Sequence, residues 1–233
     1  EALRKPVAER IFQADITEAQ LTIEKDQVTA ITWSEHEITL KPRQLILTSG
    51  EGIENISKQL GLPTPEMQRR PLHMVMVKHS NNLPTFAHCI GTGSKPVATI
   101  TTHPCADGKH VWYLGGDIAE TGVDRSEEEQ IKFAQQALSK LLPWIQLQDA
   151  EWSCLRINRA EPMQSSLVRP DSAYSHKAGN VITAWPTKLA LSPDLSDQVL
   201  ALCDQPSGTN SELSTLTELT KPSVALPTWE TNF

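Results

Sequence analysis

Gln44-Leu-Ile-Leu-Thr-Ser-Gly-Glu-Gly52 decides how this chain is read. Leu45 to Thr48 are apolar or β-branched and do not alternate with polar residues. Alternation marks a strand with one wet face, whereas an unbroken short run suits a strand buried on both faces. The run stops at Gly50-Glu-Gly52, where glycine lets the backbone turn sharply or approach a ligand closely. A tight turn with no ligand accounts for the same glycines. Ile53–Leu60 then reads as a short helix, ended by Gly61 as a C-cap.

Outward from this stretch the pattern is largely antiparallel. Upstream, Asp15–Ile23, Val28–Trp33 and Glu37–Leu40 are partly alternating runs separated by polar turns, which predicts a three-stranded meander. Downstream, strands are expected at Leu72–Lys78, Phe86–Ile90, Val97–Thr102 and His110–Leu114, with glycine and proline turns between them. Ser126 and Glu129 form a capping box ahead of Ile131, Ala134, Leu138 and Leu141, which recur at helical spacing until Pro143. A strand is expected at Glu151–Ile157, loop over most of 158–179, a strand at Asn180–Ala184, a turn at Pro186-Thr-Lys188 and a helix at Leu195–Cys203. The fold class is α+β, a mixed, largely antiparallel sheet with flanking helices. The expected divisions are 1–66, 67–157, 158–203 and a tail at 204–233 docked by Trp229 and Phe233.

Composition excludes several classes. The 233 residues are 39% hydrophobic and 21% charged, as in globular domains and unlike disordered chains. A net charge of −7 argues against a broad nucleic-acid surface. No apolar run reaches the roughly 18 residues of a membrane span. The 4 cysteines are scattered, as in a reducing compartment, and point to the cytoplasm. The chain opens on Glu1 and not on Met, so either something was removed upstream or this is one piece of a longer protein.

There is no dinucleotide fingerprint, phosphate loop or nucleophile elbow. Three features carry chemistry. Thr48-Ser49-Gly50 ends the decisive strand. Arg156, within Cys154-Leu-Arg-Ile157, sits in an apolar strand and needs a partner, either an internal carboxylate or an anionic ligand. Arg159 and Glu161 follow, and a surface pair would satisfy both. In Thr183-Ala-Trp-Pro-Thr-Lys-Leu-Ala190 a strand ends and a helix is expected near Thr187; such a helix start would attract anions, or Thr187 would simply be its N-cap beside a solvated Lys188. His73 is either a hydrogen-bonded core histidine or, beside Arg69 or Arg70, a proton-transfer group. His88, Cys89, His103 and Cys105 are metal-ligand types without the paired spacing of a structural zinc site, so no metal is expected.

In chain order, these pieces resemble the second half of FAD-dependent oxidoreductases of the D-amino-acid oxidase, glycine oxidase and glycerol-3-phosphate dehydrogenase superfamily. The resemblance spans roughly residues 10–203 and rests on L-I-L-T-S-G-E-G, Arg70-Pro-Leu-His73, Leu-Gly-Gly116-Asp, W-S-C-L-R-I and N-V-I-T-A-W-P-T-K. It implies a FAD cofactor, with Thr48, Ser49, Gly50, Pro186, Thr187 and Lys188 beside the flavin. It implies substrate contacts from Arg70, Arg156 and Arg159, with His73 as the catalytic candidate. The glycine and proline that flank the family's arginine are Cys154 and Ile157 here, which brings Arg159 forward as an alternative to Arg156. The glycine fingerprint that holds the FAD phosphates would lie upstream of Glu1, as a missing N-terminal portion of the same protein. The expected activity is hydride transfer from a small, anionic amine, amino acid or hydroxyl substrate to flavin, with this portion inactive alone. The rival expectation is a stand-alone binding module with the same fold; a metal-dependent protein using His103 and Cys105 is a third.

Overall fold

The computed structural model describes residues 3–62, 65–81, 83–93, 95–163, 172–206 and 213–233. Along the chain run β1 (Gln20–Glu24), β2 (Gln27–Trp33), β3 (Ile38–Leu40), β4 (Leu45–Leu47), α1 (Ile53–Gln59), β5 (Met67–His79), β6 (Ala87–Ile90), β7 (Pro96–Pro104) and β8 (His110–Gly115). There follow α2 (Asp117–Glu120), α3 (Glu127–Leu141), β9 (Glu151–Pro162), β10 (Tyr174–Ala178), β11 (Val181–Trp185), α4 (Ser192–Leu202) and α5 (Thr228–Thr231). The strands form three sheets, ordered β1-β2-β3, β10-β11-β4 and β6-β7-β8-β5-β9. The fold is α+β, and β4 pairs with β11 in parallel. Two compact units result, Glu1–Gln68 with Ala160–Val224 and Arg69–Arg159 with Ala225–Phe233.

In the first unit the meander is antiparallel, β1 on β2 and β2 on β3. Lys25 (φ 49) and Asp26 (φ 61) make the two-residue turn between β1 and β2. Both lie in the left-handed region, as the hairpin twist demands, and here without glycine. Gly179 (φ 57) turns β10 into β11 beneath them, and a Cβ there would stand 2.0 Å from the Asp26 carbonyl oxygen, so only glycine fits. Val28, Ile31 and Trp33 bury against Leu47, Val181 and Trp185 in the core of this unit.

Three expectations are corrected here. Strand β1 starts at Gln20, because Asp15 caps a 3-10 turn over Ile16–Glu18 by accepting the Thr17 N–H at 2.8 Å. Strand β4 is not buried on both faces: Leu47 is 5% exposed but Ile46 is 42% exposed. Alternation puts Leu45 and Leu47 on the face that packs into the core of this unit and Ile46 on the other. The stretch 158–179 is not mostly loop, since β9 continues to Pro162 and β10 occupies Tyr174–Ala178.

In the second unit, period-two alternation sorts the sheet residues. Val75, Val77, Ile100, Trp112 and Leu114 pack under Ala134 and Leu138 of α3. Leu72, Met74, Met76, Tyr113, Leu155 and Ile157 occupy the other face. The capping box of α3 is present: the Glu129 N–H donates to Ser126 Oγ at 3.3 Å and the Ser126 N–H to Glu129 Oε2 at 2.8 Å. The last residues belong to this unit. Trp229 stacks on His103 at 3.9 Å between centroids, and Phe233 packs with Met76, Cys105 and Val111. No helix among the described residues is long and apolar enough to cross a membrane.

Candidate functional site

The parallel register sets Leu45 opposite Val181 and Leu47 opposite Thr183. Both strands therefore run out at the same end of one sheet, and Thr48-Ser49-Gly50 and Pro186-Thr187-Lys188 emerge there together. The carboxyl end of parallel strands is where open α/β sheets receive ligands. Thr48 and Ser49 are exposed. Gly50 has φ 57 and open space where a Cβ would stand.

The second loop is unusual. Thr187 has φ 59, a left-handed value that is a genuine outlier for a β-branched residue. Around it the Lys188 N–H donates to the Pro186 carbonyl at 2.6 Å, closing a γ-turn. The Thr187 hydroxyl lies 3.0 Å from the Ser172 carbonyl oxygen and 2.6 Å from that of Pro186. Thr187 is thus not the N-cap expected of it. A 3-10 turn begins at Leu189 and α4 at Ser192, neither with a side-chain cap. Just before the loop, the indole Nε1 of Trp185 is buried and without a hydrogen-bond partner among the described residues.

In the other unit the candidates fall on two faces of the sheet. His73 is 2% exposed, and its Nδ1 donates to the Gly122 carbonyl at 2.9 Å. Arg156 does not occupy a buried position; its side chain is exposed and its guanidinium donates to the carbonyls of Val123 and Arg125. The expected carboxylate or ligand is replaced by two backbone acceptors. His73 and Arg156 therefore hold one segment, the loop between α2 and α3. Gln130 completes the arrangement: fully buried, it donates to the carbonyls of His73 at 2.7 Å and Ile118 at 2.9 Å and accepts from Arg125 Nη1 at 3.0 Å. Nothing in the sequence marks Gln130, which follows three glutamates in the first turn of α3.

Arg70 and Arg159 lie on the opposite face. Arg70 is two residues from Leu72 along β5 and Arg159 two from Ile157 along β9, and Leu72, Leu155 and Ile157 share that face with Tyr113. Burial raises the Tyr113 phenol above its ordinary pKa. Further along the same face Lys78 Nζ sits 2.9 Å from Asp107 Oδ2; the ion pair raises the lysine and lowers the carboxyl.

His103 and Cys105 are not assembled into a metal centre. His103 is stacked on Trp229 and bonded to Thr101 Oγ1 at 3.0 Å, and Cys105 is buried in the apolar cluster with Met76. Among the described residues no group of three or more His, Cys, Asp or Glu could hold a metal ion. Cavities of 310, 320 and 350 Å³ are lined by none of the candidate residues.

No protein-family model matches the chain. It is 51% identical over 195 residues to a Pseudomonas aeruginosa protein named probable FAD-dependent oxidoreductase PA4991. The match covers 83% of this chain and 50% of that protein. The crystal structure of the FAD-dependent oxidoreductase PA4991 superposes with a TM-score of 0.82 at 41% identity, over 97% of this chain and 63% of that one. This chain is related to FAD-dependent oxidoreductases. It spans about half the length of the curated relative it matches. An iminodiacetate oxidase from a Chelativorans species is also similar, at 15% identity and a TM-score of 0.46 over 83% of this chain and 51% of that one.

Proposed function

We propose that this chain is part of an FAD-dependent oxidoreductase, and that the loops at the carboxyl ends of β4 and β11 lie against its FAD. The observation that carries this is the 51% identity to a relative so named. The local geometry fits a flat, hydrogen-bonding ligand. Space is open beside Gly50, and the hydroxyl-bearing Thr48 and Ser49 are exposed at the same turn.

Bound flavin supplies the hydride chemistry, and the protein supplies orientation and charge. Lys188, held beside the strained Thr187, would place positive charge where the cofactor becomes electron-rich. Pro186 fixes the chain just ahead of it. Arg70 and Arg159 would hold a small anionic amine, amino acid or hydroxyl substrate by charge-assisted hydrogen bonds, orienting the C–H bond that breaks. Arg156 and His73 are already engaged by backbone carbonyls and are assigned to positioning the α2–α3 loop rather than to the reacting atoms. The four free thiols support a reducing compartment such as the cytoplasm.

The test is a visible absorption spectrum of the protein expressed from its intact reading frame. Bands near roughly 370 and 450 nm, bleached by substrate, are expected of oxidised flavin. A folded, colourless protein that takes up no added FAD overturns the reading. In a flavin-loaded protein, Arg70→Ala and Arg159→Ala should raise KM for an anionic substrate about tenfold or more each, by loss of a charged hydrogen bond.

A further inference from the structure

We propose that the 320 Å³ cavity beside α1 is a ligand site, and that it takes a small, neutral aromatic molecule carrying one hydroxyl or N–H group, of the phenol class. Neither Thr48-Ser49-Gly50 nor Pro186-Thr187-Lys188 lines it, so the inference stands apart from the cofactor reading.

The argument starts from helix α1. Residues three and four apart share one face of a helix. The inner face of α1 carries Ile53, Ser57 and, just past its end, Leu60, which are 1%, 7% and 7% exposed. Two of the three are large aliphatic residues, as a core-facing stripe demands. The middle one is a serine. Its Oγ is buried and has no hydrogen-bond partner among the described residues. A buried hydroxyl without a partner is destabilising, and native proteins keep few of them. Ser57 lines the cavity, so a partner can reach it from there.

The other walls define that partner. Ile53, Leu62, Pro65, Met67 and Met163 are apolar, and all belong to the first unit. Of the charged residues at the cavity, Glu54 and Lys58 form an ion pair at 2.9 Å and Glu66 is exposed. An ion placed against the apolar walls would lose its hydration without a buried counter-charge among the described lining residues, so the ligand is neutral. A single water is a poor occupant: it needs two to four polar partners, and 320 Å³ is about ten times its share of liquid volume. Met67 and Met163 select the body of the ligand, because the thioether is flexible and makes favourable contacts with aromatic rings. Small-molecule sites begin near roughly 300 Å³, which suits a ligand of one or two rings.

Phenol is the probe, and toluene, in which a methyl replaces the hydroxyl, is its volume-matched comparator. Both are titrated into the intact, full-length protein carrying ¹³C-methyl methionine, with the signals assigned through Met67→Leu and Met163→Leu. Phenol should shift the Met67 and Met163 methyl resonances saturably. Ser57→Ala should lower the preference for phenol over toluene by roughly three- to tenfold, the size of one net hydrogen bond. Phenol that leaves both methyls unmoved, or that moves other methionines alone, overturns the site. An unchanged phenol-to-toluene ratio in Ser57→Ala overturns the role of the hydroxyl and with it the ligand class. The same variant gives a readout without ligand. A hydroxyl that lacks a protein partner adds no hydrogen bond to the fold, and alanine is the better helix former. The unfolding temperature of Ser57→Ala should therefore hold or rise, and a fall of several degrees would show that Ser57 is already satisfied within the protein and overturn the proposal.

Discussion

The carboxamide of Asn180 forms two hydrogen bonds to one residue 152 positions away: Val28 N–H donates to Oδ1 at 2.8 Å, and Nδ2 donates to the Val28 carbonyl at 2.9 Å. A side chain here does what a neighbouring strand would do, and it ties the meander to the sheet that carries the candidate cofactor loops. Both partners are buried. Asn180→Ala should cost about 2–4 kcal/mol, because it orphans a buried donor and a buried acceptor. Asn180→Asp keeps one acceptor, loses the donor and buries charge, so it should cost at least as much. Urea unfolding of the two variants decides this; a loss under about 0.5 kcal/mol in Asn180→Ala would show that the bonds are not formed.

Gln130 offers a second test. Gln130→Glu replaces the amide that donates to the His73 and Ile118 carbonyls with a carboxyl group. The unfolding free energy should fall by about 2–4 kcal/mol. Gln130→Leu should lose less than the glutamate variant, since it buries no charge, although the two carbonyls still lose their donor. The reverse ranking would mean that the amide network is not what positions the α2–α3 loop.

A pH dependence follows from His79. Burial, and then repulsion from its register partner His110, lowers its pKa. The folded state therefore prefers the neutral ring. That contribution is fully present above the unfolded value of about 6.5 and is lost as pH falls through the lower folded value. The midpoint of thermal unfolding should drop as pH falls below about 6.5, and His79→Phe, which keeps the ring against Trp112, should flatten that decline. An identical acid limb in the variant assigns the effect to other groups, His103 among them, whose pKa burial also lowers.

Backbone strain at Thr187 can be isolated by comparing two substitutions that both remove its hydroxyl. Thr187→Val keeps a β-branched residue at φ 59, whereas Thr187→Gly relieves the strain. After the greater chain entropy that glycine loses on folding, the glycine variant should remain more stable than the valine variant by about 1 kcal/mol. Equal stabilities would mean that the turn relaxes when the hydroxyl is gone.

Local rules made much of the fold legible. The meander, the capping box at Ser126 and the strands through β8 follow from alternation, turn residues and caps that act over a few positions. Strand β10 escaped because Tyr174-Ser-His-Lys-Ala178 carries no apolar period; its place comes from pairing with β11. The continuation of β9 past Ile157 was hidden by Asn158, Arg159 and Glu161, although Glu161 is 1% exposed and accepts from Gln68 Nε2 at 3.0 Å. Leu45–Leu47 looked like a strand buried on both faces because the run is wholly apolar, yet Ile46 is 42% exposed: residue type does not reveal what covers each face. At the candidate site, chain order brought residues 48–50 and 186–188 into consideration together, and the parallel register places both at one end of the sheet. Arginine alone did not reveal its acceptor: the backbone carbonyls of Val123 and Arg125 leave no trace in residue type.

The chain passes between its two units three times, and each unit closes only with a late segment: Leu216 and Leu219 enter the first core, Trp229 and Phe233 the second. On the ribosome, then, the first core cannot close before Leu219 has emerged, nor the second before Phe233. The segment 69–159 emerges whole but lacks the aromatic residues that shield Met76 and Cys105, and residues 1–68 must wait for partners made more than ninety positions later. A nascent chain stalled before residue 225 lacks Trp229 and Phe233, so its second core stays open over Met76 and Cys105.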